Sequence, residues 1–86
     1  MGKWRVKLKI KGDEFEESTE VTADRRDAYK VNYHNSNKVV AYFSLDKLLK
    51  TGRDKLTVRI INGDETKKSQ DYLILSKLTT QYAKLD

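Results

Sequence analysis

The chain has 86 residues, no cysteine and a formal net charge of +5 at pH 7. This length predicts a single small domain, 1–86, and the lack of cysteine excludes disulfides and thiolate-bound metals as supports for its core. We see neither an apolar run of signal-peptide length nor a segment long enough to span a bilayer. We therefore expect a cytoplasmic protein without membrane contact, whose positive charge permits a polyanionic partner.

The opening stretch, Lys3 to Thr22, predicts a β-hairpin with one charged face and one apolar face. From Lys3 to Lys11 the residue type alternates without a break, which is typical of a half-buried strand. The turn is assigned to Gly12-Asp13, because these residue types tolerate the positive φ of a two-residue hairpin loop. The expected inward side chains are Trp4, Val6, Leu8 and Ile10, and the expected outward ones are Lys3, Arg5, Lys7, Lys9 and Lys11.

A two-residue turn also fixes which outward residues should face each other. Three of the five outward cations would then lie opposite a carboxylate. We therefore interpret the basic stripe as a self-neutralised, solvated face rather than as a phosphate-binding one. Glu17 fits poorly, since it would point inward opposite Leu8 unless a bulge or an open edge re-aims it. The expected outer pairs are Lys11–Glu14, Lys9–Glu16, Lys7–Ser18 and Arg5–Glu20.

Two further strands are expected in the middle of the chain. Within 23–34, Tyr29, Val31 and Tyr33 alternate with polar residues, which favours a strand over the rival helix. After a turn at 35–37, the stretch 38–44 is apolar on both faces and is expected to be a central strand.

A short helix is expected near 45–51, with a residue suited to capping at each end. Ser44 can accept hydrogen bonds from the free N–H groups at its start, and Gly52 can adopt the left-handed conformation at its end. The expected buried stripe is Leu45, Leu48 and Leu49.

The remaining third of the chain predicts one more hairpin and a tail. A fifth strand at 55–61 is followed by Asn62-Gly63, a strong turn signal, and a sixth strand is expected at 70–75, with 65–69 as a flexible approach. The tail, 76–86, allows either a short amphipathic helix or an edge strand. The whole predicts a mainly β (β-rich α+β) fold: a small antiparallel β-barrel or curved sheet of about six strands in three hairpins, with a short helix.

The residue inventory argues against enzymatic chemistry. The chain has one histidine and no cysteine, and its four glycines stand apart at positions 2, 12, 52 and 63. A zinc site needs three or four suitable ligands, a serine nucleophile needs a base, and a phosphate-binding loop needs clustered glycines. We therefore expect no catalytic residues, no metal and no cofactor.

What remains is a small basic binding module. We expect it to contact nucleic acid through a basic rim, with two tyrosines as candidates for base stacking. The alternative is a protein-interaction module, an accessory subunit or small inhibitor, that docks through an exposed strand edge or the C-terminal segment. The candidate site residues are Lys47, Lys50, Arg53, Lys55, Arg59, Lys67, Lys68, Tyr33 and Tyr42.

Overall fold

The computed structural model describes residues 5–77 and 80–85. Within these ranges the chain forms eight strands and one short helix. In chain order the elements are β1 (Arg5–Lys11), β2 (Glu20–Ala23), β3 (Arg26–Asp27), β4 (Lys30–Asn35), β5 (Lys38–Ser44), α1 (Leu45–Leu49), β6 (Lys55–Asn62), β7 (Glu65–Ile74) and β8 (Gln81–Lys84).

The strands form two four-stranded sheets, with the orders β4-β5-β1-β8 and β3-β2-β6-β7. The β1–β8 pair is parallel and the other pairs among the described strands are antiparallel. Inward residues of both sheets, such as Leu8 and Val58, are fully buried in one core cluster. The prediction of a mainly β fold with one short helix is confirmed. Of the predicted barrel or curved sheet of about six strands in three hairpins, the expected pairs β4–β5 and β6–β7 form, but the two sheets do not close into a barrel and the described strands number eight.

The predicted opening hairpin does not form. Both edges of β1 are occupied, by β5 and by β8, so Arg5 lies opposite Ser44 and not opposite Glu20. β2 pairs with β6 in the other sheet. The alternation itself is confirmed, since Val6, Leu8 and Ile10 are all buried, while Lys3 and Trp4 lie outside the described residues. Alternation defines the faces of a strand, but it carries no information on which strand lies beside it.

Gly12, which follows β1, does not form a hairpin turn. A glycine is required there because no side chain would fit. A Cβ at this position would lie 2.8 Å from the ring of Phe15 and 2.9 Å from a methyl group of Leu85. The chain then runs as a loop to β2, and the Phe15 N–H donates to the carbonyl of Ser36. Glu17 is exposed in this loop, so the misfit expected of it disappears together with the hairpin.

The other strand predictions are largely correct. The strand preferred within 23–34 is β4, the central apolar strand is β5, and the fifth is β6. The predicted tight turn between β6 and β7 forms one residue later than expected: Asn62 pairs with Glu65, and the turn consists of Gly63, with φ 58°, and Asp64. The flexible approach expected at 65–69 is wrong, because β7 begins at Glu65 and pairs with β6 there.

The helix is also confirmed, with two corrections. Leu45 and Leu48 are buried, and Gly52 has the expected positive φ of 71°. Leu49, however, is 56% exposed, because a helix this short turns only one side to the core. Ser44 precedes the helix without making a side-chain cap hydrogen bond.

The C-terminal segment is an edge strand, and the helical alternative is wrong within the described residues. β8 lies parallel to β1, and its Ala83 is buried, as is Leu85 just beyond it. Towards β7, the Gln81 amide donates to the Ile74 carbonyl at 2.7 Å and accepts from the Ile74 N–H at 2.9 Å. At this point the Gln81 side chain, and not a strand ladder, connects β8 to β7 of the other sheet.

Candidate nucleic-acid interface

The structure brings together part of the predicted basic rim. A cleft of about 570 Å³ opens between β6, the loop after α1 and the turn between β2 and β3. A second depression of about 340 Å³ adjoins it and shares lining residues with it. Two of the lining arginines, Arg25 and Arg26, were not among the predicted site residues. We call this surface the basic cleft and define it by its six cations, Arg25, Arg26, Lys47, Lys50, Arg53 and Arg59.

A tight turn places Arg25 at the edge of the cleft. Asp24 and Arg25 form the two-residue turn between β2 and β3 and have φ values of 49° and 70°. The Asp24 N–H donates to the Thr57 carbonyl at 2.9 Å, which holds the turn against β6. The left-handed conformation costs a non-glycine residue roughly 1–2 kcal/mol. The chain therefore keeps a long cationic side chain where glycine would be less strained.

Hydrogen bonds also hold the opposite wall of the cleft. In the loop after α1, the Thr51 hydroxyl donates to the Leu48 carbonyl at 2.8 Å and accepts from the Arg53 N–H at 3.2 Å. The Arg53 guanidinium then reaches the Asp24 carboxylate, with Nη1 and Oδ2 3.4 Å apart. This contact joins the two walls.

The charge balance of the cleft is positive. Its six cations face two lining carboxylates, Asp24 and Asp27. Among the described residues, only Arg53 of these cations has a carboxylate oxygen within 4.0 Å. The other five therefore keep their charge available to an anion.

Several predicted site residues lie outside the cleft. Lys55 lines a separate depression beside β8, and Lys67 forms an ion pair with Glu65 at 3.4 Å. Lys68 lies opposite Arg59 in the β6–β7 ladder and so borders the cleft through that neighbour. Tyr33 and Tyr42 belong to the other sheet, on β4 and β5, and none of the described residues that line the cleft is aromatic.

The outer face of the other sheet carries cations and aromatic rings together. The outward cations of β1 lie beside residues of β5 and β8 and not beside carboxylates. Tyr42 is in register with Lys7, and Tyr82 is in register with Lys9. We call this surface the lysine–tyrosine face and define it by Arg5, Lys7, Lys9, Lys11, Lys30, Lys38, Tyr42, Tyr82 and Lys84.

A row of three lysines crosses this face. Lys38, Lys11 and Lys84 lie side by side on β5, β1 and β8. Neighbouring strands are about 4.8 Å apart, and like charges directly opposite each other destabilise a sheet. No carboxylate oxygen lies within 4.0 Å of these ammonium groups among the described residues. The row is thus an unfavourable arrangement that a bound anion would relieve.

The tyrosines stand among these cations. The Lys7 ammonium lies 5.9 Å from the ring centroid of Tyr42, and that of Lys9 lies 5.7 Å from the ring centroid of Tyr82. The Tyr82 side chain is 67% exposed, so its ring remains open to a ligand. At the opposite edge, the ring of Tyr29 lies 6.4 Å from that of Tyr42.

A depression of about 300 Å³ lies beside Tyr82 on this face. Its charged lining consists of the lysines at 9, 11, 38 and 84 and one carboxylate, Asp71. That carboxylate accepts a hydrogen bond from the backbone N–H of Lys84 at 3.0 Å, which occupies one of its oxygens. The depression therefore combines an aromatic wall with a positive rim.

A signal for this face was present in the sequence. In the stretch 81–85, Ala83 and Leu85 alternate with Tyr82 and Lys84, which is the period of a strand. The helical spacing of Leu78, Tyr82 and Leu85 competed with it.

Comparisons with known proteins give no match to a family model, to a curated protein or to a solved structure. Within the described ranges, no helix is long and apolar enough to cross a membrane, and no group of three His, Asp or Glu side chains could hold a metal ion. The two basic surfaces are the features of the described residues that point to a function.

Proposed function

We propose that the protein is a non-enzymatic module that binds single-stranded nucleic acid through the lysine–tyrosine face. The observation that carries this proposal is the row formed by Lys38, Lys11 and Lys84 beside the exposed ring of Tyr82. Proteins that bind single strands without sequence preference combine a positively charged track for the phosphates with aromatic side chains for the bases. Both components lie here on one sheet.

The lysines supply the phosphate contacts. An anionic backbone crossing the face from β5 to β8 would meet the three ammonium groups of the row in succession. Each phosphate neutralised on a single strand contributes about −0.7 to the slope of log affinity against log salt concentration. Three contacts from the row therefore predict a slope of about −2.

The tyrosines supply the stacking platforms. Tyr42 and Tyr82 lie two strands apart and are offset by two residues along the strands, so their Cα atoms are separated by roughly 12 Å. Lys7 and Lys9 lie between them, and their flexible stems allow the ammonium groups to leave the rings for a phosphate. Two bases of one strand can therefore stack while the intervening phosphates remain paired.

The alternative, a protein-interaction module, has weaker support. The apolar residues of the C-terminal segment, Ala83 and Leu85, are packed in the core and are not available for docking. Among the described strands, β4 has no neighbour on its outer edge and could accept an added strand, but nothing in its sequence favours a particular peptide. A nuclease-treated pull-down separates the two functions, because a protein partner survives it and a nucleic-acid ligand does not.

The test measures fluorescence anisotropy of a labelled oligothymidine of about five nucleotides, a length at the lower end of known site sizes. We expect binding at about 50 mM salt that weakens steeply as salt rises. Tyr82→Ala should weaken it about 5- to 150-fold, the range expected when one base loses its aromatic partner, and Tyr82→Phe should not. Tyr33→Ala is the matched control, because Tyr33 is 41% exposed but lies in register with the buried Val39, on the side of β4 that faces away from the lysine–tyrosine face.

Two outcomes would contradict the proposal. One is the absence of any anisotropy change at micromolar protein and low salt. The other is an equal loss of affinity in Tyr82→Ala and Tyr33→Ala, which would locate the ligand elsewhere or attribute the loss to general destabilisation.

A further inference from the structure

The basic cleft has no role in the function proposed above, although five of its cations are unpaired among the described residues. We infer that it is the second half of one binding track, in which a single strand leaves the lysine–tyrosine face, passes over the segment Arg26–Lys30 and enters the cleft. This inference rests on the proposed function and adds a length requirement and a preference for single strands over duplexes.

The segment Arg26–Lys30 joins the two sheets directly. The Ala28 N–H donates to the Val21 carbonyl of β2 at 3.0 Å, and the next N–H, that of Tyr29, donates to the Tyr42 carbonyl of β5 at 2.9 Å. The chain thus changes sheets within one residue. The segment thus leads from the cleft, which includes Arg26, to the lysine–tyrosine face, which includes Lys30.

The same segment carries suitable side chains on its exposed surface. Arg26 belongs to the cleft and Lys30 to the lysine–tyrosine face, and both are exposed. Between them Tyr29 is 51% exposed, with its ring 6.4 Å from that of Tyr42. The segment includes one carboxylate, Asp27. Cations and an aromatic ring therefore continue from one surface to the other.

The shape of the molecule selects the kind of nucleic acid that can use both surfaces. The outward residues of the two sheets point away from a shared core, and the short axis of the protein is 20 Å. A duplex has a persistence length of about 50 nm and cannot turn through such a path without a large bending energy. A flexible single strand can, so a duplex would contact one surface and a long single strand both.

The test compares labelled oligothymidines of about 5 and 16 nucleotides with a duplex of the longer length. Wild-type protein should bind the long strand more than about 100-fold tighter than the short one, because its overlapping registers on one surface account for only about tenfold and the second surface adds avidity. In Lys50→Gln/Arg59→Gln most of this gain should disappear, while affinity for the short strand stays unchanged. Lys55→Gln/Lys67→Gln removes the same charge from β6 and β7 outside the cleft and should keep the gain.

Each other result has a definite meaning. If the short strand binds and the cleft variant retains the full gain, the cleft is unused and this inference is wrong, while the proposed function stands. A stoichiometry of two long strands per protein would mean that each surface binds a separate strand, and this result would also overturn the inference. If the cleft variant loses the short strand as well, the cleft is the primary site, and both this inference and the face proposed above are wrong.

Discussion

The two basic surfaces are built from different parts of the fold. The lysine–tyrosine face consists of strand positions, mostly lysines, with two rings and no carboxylate at the ladder positions of its described strands. The basic cleft consists largely of turn and helix-end positions, is rich in arginine, and includes two carboxylates and no aromatic ring among its described lining residues. Both surfaces are positive, but among the described residues only the lysine–tyrosine face combines its charge with aromatic rings.

This difference assigns different tasks to the two surfaces. Lysine is a flexible point charge that can follow a phosphate, whereas the arginine guanidinium is a planar fork that binds a phosphate through two donors. Tyrosines held in a sheet present their rings in fixed positions, which suits stacking. We therefore assign base contacts to the face and additional phosphate contacts to the cleft.

The largest effect is expected from Lys11→Glu. A carboxylate at the centre of the row would repel the phosphate backbone, and affinity for a short single strand should fall at least about tenfold. The same change creates an opposite-charge pair with each neighbour, Lys38 and Lys84, and each such pair contributes about 0.2–1 kcal/mol. The free energy of unfolding, measured by urea denaturation, should therefore rise while binding is lost.

Lys67→Glu is the control for this substitution, because it changes the net charge equally on β7 in the other sheet, at a lysine outside both basic surfaces. If it weakens binding as much as Lys11→Glu does, net charge and not the row determines affinity. A fall in stability of Lys11→Glu would mean that the three lysines are not neighbours.

A smaller effect is expected from Tyr29→Ala, which removes the ring between the two surfaces. Affinity for a strand of about 16 nucleotides should fall about fivefold, near the lower limit for one lost stacking contact, and affinity for about five nucleotides should change little. Anisotropy titrations with both lengths provide the measurement. An equal loss at both lengths would place Tyr29 within the face and not between the surfaces.

The sequence predicted which residues form each strand, and which of them are buried, better than it predicted which strands lie side by side. Alternation correctly identified Val6, Leu8 and Ile10 as the buried side of β1, and β5 was recognised as central because it is apolar on both faces. The parallel pairing of β1 with β8 joins the two ends of the chain, and no local pattern encodes it. The prediction of an opening hairpin was wrong because it assumed that segments adjacent in the sequence pair with each other in the sheet.

The same error concealed the lysine–tyrosine face. Pairing the β1 cations with Glu14, Glu16 and Glu20 made the stripe look neutralised, whereas its real neighbours are lysines and tyrosines. Lys50 and Arg59 were correctly predicted to lie close together, because one follows the helix and the other lies in β6, the next strand. Arg25 was missed because a left-handed arginine in a two-residue turn has no sequence signature.

Two matched single substitutions should distinguish the two surfaces through moderate changes in affinity and in its salt dependence. Lys38→Gln should weaken binding of a short strand a few-fold and make the salt slope shallower by about 0.7, the contribution of one phosphate contact. Lys50→Gln should leave the short strand unaffected and make the slope shallower by about the same amount only for the long strand. Equal effects of the two substitutions on the short strand would remove the distinction drawn here between the face and the cleft.

The smallest effect, and the most specific for the cleft, is expected from Arg25→Gly. Glycine relieves roughly 1–2 kcal/mol of left-handed strain, while its freedom in the unfolded chain offsets about 0.4–1 kcal/mol of that gain. The free energy of unfolding should thus stay constant or rise by up to about 1.5 kcal/mol. Affinity for the long strand should nevertheless fall a few-fold, through the loss of one phosphate contact.

Glu14→Gly is the control for this last prediction, because Glu14 also has a positive φ, 62°, but belongs to neither basic surface. It should show a similar change in stability without weaker binding, since it removes a negative charge. A lower stability of Arg25→Gly, or an unchanged affinity for the long strand, would contradict the role of this arginine. A gain in stability together with a loss of binding would show that the turn retains a strained arginine for the sake of its ligand.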